Sequence, residues 1–160
     1  MIRVATASDR ARVIELLAAS RIGAGFDDPR GPTGFSFPFL PEYAERLFLA
    51  HLRDRFSLCL VLELGGRVEG ILLAIANEHL FGPVWLARET VWFIDPAHRG
   101  GSAAVRMLDA YEAWAFAIGC KFAGMAGMGE DPAVAALYQR RGYLGAERHF
   151  LKQLQDKARP

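Results

Sequence analysis

Between Ser57 and Ile94 the chain reads as three consecutive β-strands, and this run limits the fold more than any other feature. Ser57 to Leu64 is an apolar stretch. Gly65-Gly66 forms a two-residue turn, and Val68 to Ala76 is the returning strand. Gly82-Pro83 marks a second turn, and Val84 to Ile94 is the third strand. Strands joined this closely are antiparallel neighbours, because a parallel pair needs a crossover of about a dozen residues or more. A sheet built from repeated βα units is therefore excluded.

The flanks supply the helices. Ile2 to Ala5 is a short strand candidate. Thr6 or Ser8 caps a helix whose Val13, Ile14, Leu17 and Ala18 recur at helical spacing. Pro41 suits the first turn of a second helix, with Tyr43, Leu47, Ala50 and Leu52 on its apolar face and an end near Asp54. Between them, residues 21–41 hold four glycines, four prolines and four phenylalanines. This is a long loop that either folds over an apolar ligand or packs its own rings on the core. After the meander, Arg99 to Ile118 places Ala104, Leu108, Tyr111, Ala115 and Ile118 on one helix face. Lys121 to Ala126 is a short strand. Asp131-Pro132 opens a last helix that runs through Leu137 and Tyr138 to Arg141 and stops at Gly142. Glu147 to Leu154 reads as a final strand. The order β-α-α-β-β-β-α-β-α-β predicts an α+β (mixed α/β) fold: one domain over 1–154 around a largely antiparallel sheet, with 155–160 a frayed tail.

A chain of 160 residues at 52% apolar composition has enough to fill one core. Its net charge of +1 gives no electrostatic footprint for nucleic acid or an anionic membrane. Cys59 and Cys120 form no CxxC pair, which fits two buried thiols in a reducing compartment. The start lacks a long apolar signal segment, and no apolar run approaches the roughly 20 residues of a membrane span. A soluble cytoplasmic protein is expected. Glu78-His79 is not HExxH, and no His/Cys spacing supports a metal.

The chemistry concentrates where the third strand meets the third helix. In "FIDPAHRGGSAAV", Phe93 to Val105, Gly100 and Gly101 remove Cβ atoms and let the backbone approach a ligand. Ser102, Ala103 and Ala104 keep that approach open. The first amides of a helix have no intrahelical acceptor, its dipole favours an anion, and Arg99 adds a fixed positive charge. The string is neither GxxxxGK[ST] nor GxGxxG. It suits a pyrophosphate, or else a tight turn whose glycines serve packing.

In its setting the string resembles the R/Q-x-x-G-x-G/A motif of the GNAT family of acyl-CoA-dependent N-acetyltransferases. Arg99 and Ala104 match, while Ser102 stands where glycine is usual. "WFIDPAHR" is similar to that family's approach to the motif. "DPAVAALYQRRGY" resembles its downstream block, with Tyr138, Gly142 and Tyr143 matching and Asp131 and Val134 departing from the usual Asn and Ala. The resemblance covers nearly the whole chain except residues 22–40.

The resemblance implies acetyl-CoA as cofactor, held between splayed strands carrying Trp92 to Ile94 and Phe122 to Met125. Backbone groups of Trp92 and Ile94 are then expected to pair with the pantetheine arm. Amides from Gly100, Gly101, Ser102, Ala103, Ala104 and Val105, with Arg99, are expected to hold the pyrophosphate. An amide near Phe93 or Ile94 is expected to polarise the thioester carbonyl. Asp131 stands at a position that contacts the cofactor in the family, or simply caps the helix. Tyr138 is the expected proton donor to the leaving thiolate. Glu89 is the first candidate for the base, unless it is an exposed glutamate paired with Arg88 or another cation. Glu78 and His79 are reserves. Arg140 and Arg141 are candidates for the 3′-phosphate or a solvated helix end. The acceptor is an amine on a small molecule or peptide, and a homodimer stays open. Two other classes compete: a non-catalytic CoA-binding regulatory module, and an assembly protein using the Phe-rich loop.

Overall fold

The computed structural model describes residues 1–127, 132–147 and 149–154. Its elements are β1 (Ile2–Val4), α1 (Arg10–Gly23), α2 (Pro41–Arg53), β2 (Ser57–Leu64), β3 (Arg67–His79), β4 (Gly82–Ile94), α3 (Ala103–Ala117), β5 (Phe122–Gly124) and α4 (Pro132–Arg140). The strands form one sheet in the order β1-β2-β3-β4-β5, antiparallel except for the parallel pair β4–β5. The expected α+β architecture is present: among the described residues, a mixed, open five-stranded sheet with four α-helices in a single domain.

Both faces of the sheet are covered. Alternation along β2 sends Leu58, Leu60 and Leu62 to one face, where they meet Met107, Tyr111 and Ala115 of α3. It sends Cys59 and Val61 to the other, against Val13, Leu16 and Leu17 of α1 and Ala44 and Phe48 of α2. Two-sided burial explains why this strand is a continuous apolar run. Gly65 (φ +56°) and Gly66 (φ +79°) both adopt the left-handed conformation that the two-residue turn requires.

Four expectations need correction. Thr6 opens a short 3₁₀ turn rather than α1 itself, with its N–H bonded to Asp9 Oδ2 at 2.8 Å. The third helix starts at Ala103, not Arg99, because Gly100 (φ +88°) and Gly101 (φ +64°) are left-handed. The strand expected over Lys121 to Ala126 is only Phe122–Gly124. Among the described residues of 147–154 there is no strand. The described residues of that stretch join no ladder of the sheet. Asp131 and the expected tail at 155–160 lie outside the described residues. Cys59 and Cys120 are both buried and unpaired, and burial pushes the Cys59 thiol up to about 12. Among the described residues no helix is long and apolar enough to cross a membrane, and no cluster could hold a metal ion.

Candidate active site

β4 and β5 pair as Leu86↔Phe122, Ala87↔Ala123 and Arg88↔Gly124, and then part. β4 continues to Ile94, bonded only to β3. Two features force the separation. First, the β3–β4 register passes from Leu73↔Val91 to Ala74↔Glu89, so Thr90 is an extra residue, a β-bulge. Its hydroxyl donates to Leu73 C=O at 3.2 Å. Second, side chains take the polar groups of the chain at and after the end of β5. The buried Tyr111 hydroxyl donates to Gly124 C=O at 2.9 Å. Glu89 Oε2 accepts from Ala126 N–H at 3.1 Å, and the Tyr138 hydroxyl donates to Ala126 C=O at 3.0 Å. Groups committed in this way cannot rejoin the ladder with β4.

The split leaves an open strand edge. Asp95 N–H bonds to Glu69 C=O at 2.8 Å, so by antiparallel alternation Phe93 and Val91 also address β3. Trp92 and Ile94 direct their backbone groups to the open side. Ile94 C=O already accepts from Arg99 Nε at 2.8 Å. Phe93 needs correcting as a candidate oxyanion donor. Its backbone faces β3, with its carbonyl oxygen only 3.2 Å from where a Cβ on Gly70 would stand, and its ring lies in the core beneath α1 and α2. Of the two amides named, that of Ile94 is the one on the open edge.

The edge leads into the basic turn. Asp95 Oδ1 accepts from Ala97 N–H at 3.0 Å and fixes a 3₁₀ turn over Pro96–His98. Ser102 has φ −88° and ψ −4°, ordinary right-handed backbone, so its replacement of glycine costs no strain. The first amide of α3 to find an acceptor is that of Arg106, at Ser102 C=O (3.0 Å). Among the described residues, the amides of Gly100, Gly101, Ser102, Ala103, Ala104 and Val105 have none. Nothing stands within 4 Å of a Cβ built on Gly100 or Gly101, so this backbone is open to a ligand. The Arg99 guanidinium lies 5.4 Å over the Phe93 ring at the same mouth.

The bulge also decides the phase of Glu89. By pairing with Ala74 it shares a sheet face with Trp92, which pairs with Leu72. In a regular strand without the bulge, residues three apart such as these would point to opposite faces. Among the described residues Glu89 makes no ion pair, with Arg88 or any other cation. Burial raises its carboxyl above the usual range, against the opposing pull of the Ala126 N–H. Tyr138 is half-buried, with its ring 6.1 Å from that of Trp92. Glu89 and Tyr138 thus meet on one peptide group, that of Ala126. Glu78 and His79 do not join them. They lie at the β3–β4 tip, with Glu78 opposite Trp85, about 13 Å along the strand at roughly 3.3 Å per residue.

Several participants were not foreseen from sequence. Arg141 is not available to a phosphate, because it is held by Asp109 (2.5 Å) and Glu112 (2.8 Å). Glu112 also accepts from the Tyr143 hydroxyl at 3.0 Å. Tyr111 was legible only as a core residue, although a hydroxyl within an apolar stripe signals a buried partner. In the long loop over residues 24–40, Phe39 packs against the core on the α1–α2 side. Phe26 and Phe37 pack edge-to-face at 5.2 Å. Phe35 and Phe37 also line a cavity of about 260 Å³ with Leu151 and Leu154. The loop leaves α1 at Gly23, which abuts the Phe93 ring.

Comparison with known proteins fits this geometry. No curated protein matches the sequence significantly. Solved structures resemble the fold along its whole length. A predicted acetyltransferase with acetyl-CoA from Clostridium acetobutylicum has a TM-score of 0.77 and 13% identity, covering 99% of each chain. An aminoglycoside antibiotic 6′-N-acetyltransferase from Acinetobacter haemolyticus has a TM-score of 0.70 and 17% identity, over 97% of this chain and 99% of that one. A transcriptional regulator from Bacillus halodurans C-125 has a TM-score of 0.74 and 20% identity, over 96% of this chain and 99% of that one. The model of the acetyltransferase (GNAT) family matches residues 26–143, from the long loop to the aromatic residue after α4, and the chain belongs to that family.

Proposed function

We propose that the protein is a cytoplasmic N-acetyltransferase that moves the acetyl group of acetyl-CoA to a primary amine by direct attack in a ternary complex. The observation that carries this reading is the open β4 edge at Trp92 and Ile94 running into the uncommitted amides from Gly100 to Val105. A long thiol arm ending in a pyrophosphate fits that sequence of groups. The edge pairs like an added strand, and the turn donates to phosphate oxygens with Arg99 beside it.

Acetyl-CoA supplies a thioester whose carbonyl carbon accepts the amine. The protein's own groups do the rest. The Ile94 amide donates to the thioester oxygen as negative charge develops there. Glu89 takes a proton from the incoming amine as the N–C bond forms. Tyr138 delivers its hydroxyl proton to the sulfur as the C–S bond breaks. For a lysine-like amine at pH 7 the neutral form lies about 3.4 pH units away, or about 4–5 kcal/mol. For an α-amine near pKa 8 the cost is about 1 kcal/mol. Glu89 therefore matters most for strongly basic acceptors, and its raised pKa brings it closer to the proton it must take. The loop over residues 24–40 forms one wall of the acceptor site.

A non-catalytic CoA-binding module is the second reading. It draws on the commitment of Glu89 to Ala126 and on the fold shared with a transcriptional regulator. Incubation with acetyl-CoA and a panel of amines, including polyamines, aminoglycosides, amino acids and peptides, separates the two. Release of free thiol with an acetylated acceptor supports the enzyme, and binding without release supports the module.

A further inference from the structure

Helix α4 carries Tyr138, yet none of its residues is buried and it adds no side chain to either core cluster. Tyr138 itself touches Trp92 and Ala126. The end of the helix is tied to α3 by polar contacts, two of which meet on one carboxylate. Glu112 Oε2 accepts from Arg141 Nη2 at 2.8 Å, and Oε1 accepts from the Tyr143 hydroxyl at 3.0 Å. These two residues lie just beyond α4 and close its last turn. The N–H groups of Arg141 and Tyr143 both donate to Tyr138 C=O at 3.0 Å. Gly142 between them takes the left-handed conformation (φ +85°) that such a helix end needs. The Tyr143 ring then stands 5.7 Å from the Tyr138 ring.

We propose that Glu112 is a positioning residue for acetyl transfer: from α3, one carboxylate holds the two residues that anchor Tyr138, and so sets where the Tyr138 hydroxyl stands. This rests on the transferase reading above. The two legs are unequal. Asp109 also reaches Arg141, at 2.5 Å, and can keep that leg when Glu112 is altered. Among the described residues the Tyr143 hydroxyl has no second acceptor. Tyr143 is the leg through which loss of Glu112 reaches Tyr138.

The test is a cycle of variants assayed for thiol release under conditions where chemistry limits the rate. Glu112→Ala should lower kcat about 10-fold and leave the KM for acetyl-CoA within about twofold. Glu112→Gln keeps an oxygen that can accept from Tyr143 and should recover most of the rate. In a Tyr138→Phe background, Glu112→Ala should cost less than about twofold more, because residues acting through one group are not additive. A 10-fold loss that persists on top of Tyr138→Phe overturns the proposal, as does an unchanged kcat in Glu112→Ala. If the alanine variant fails to fold, Tyr143→Phe, which removes the hydroxyl that Glu112 holds, replaces it in both backgrounds and must show the same loss and the same non-additivity. Failure of the wild-type protein to release thiol with any acceptor overturns the transferase reading itself, and this proposal with it.

Discussion

The sharpest prediction concerns Glu89→Gln. The glutamine oxygen can still accept the Ala126 N–H that Glu89 accepts at 3.1 Å, so the split between β4 and β5 is kept. What is lost is the proton acceptor. With a lysine-like amine kcat should fall by roughly 10²–10⁴-fold, the range for a positioned base. With an α-amine the fall should be much smaller, because only about 1 kcal/mol of deprotonation is at stake. The pH profile carries a second signature. Burial raises the Glu89 carboxyl, so wild-type kcat should decline as pH falls through that raised value, and this limb should vanish in the variant. Stability follows the same sign. A carboxyl whose folded-state pKa lies above its unfolded value favours the fold at low pH and loses that contribution as pH rises through the folded value. In its charged form the carboxylate is therefore a burden on the fold, and Glu89→Gln should melt no lower than wild type. Steady-state rates on both amines from pH 5 to 9, with melting at pH 7, test all of this. Full kcat on the basic amine with the acidic limb intact, when chemistry limits the rate, would refute the assignment of Glu89 as base.

Four other outcomes are expected. Tyr138→Phe should lower kcat about 10²-fold with little change in acetyl-CoA affinity by calorimetry, and stability should drop by about 1 kcal/mol with the bond to Ala126. Gly101→Asp should weaken acetyl-CoA binding at least about 10-fold while circular dichroism stays native, since aspartate tolerates left-handed backbone but sets a negative charge where the phosphates would lie. Tyr111→Phe leaves Gly124 C=O without its partner, so it should cost about 1–3 kcal/mol in urea unfolding and raise the KM for acetyl-CoA more than that for the amine. Shortening the loop within residues 24–40 should raise the acceptor KM far more than the acetyl-CoA KM, and if both KM values are unchanged the loop is only packing.

Much of this fold was legible in sequence because its signals are local. Gly65-Gly66 fixes a turn by its own backbone freedom, and the two-sided apolar run of β2 needs no knowledge of its neighbours. The anion-ready turn was legible for the same reason, since Gly100, Gly101 and Arg99 are adjacent. What escaped depends on partners distant in the chain. The bulge at Thr90 is a mismatch between two strands, and no residue in β4 announces it. Tyr111 to Gly124 and Glu112 to Tyr143 are contacts between elements whose approach is set by the finished core. The expected strand over 147–154 depended on a ladder partner that its own residues do not specify. Arg141, read as a phosphate candidate or a solvated helix end, is drawn instead to Asp109 and Glu112 one helix away.

The central claim is transfer of acetyl from acetyl-CoA to an amine, and the most direct measurement follows both products at once. The purified protein is incubated with acetyl-CoA and the amine panel. Free thiol is read by colour and the acceptor by mass spectrometry. The account predicts that at least one amine gains an acetyl group in step with thiol release, and that Tyr138→Phe slows both together. Tight binding of acetyl-CoA with no acetylated amine across the panel would contradict it.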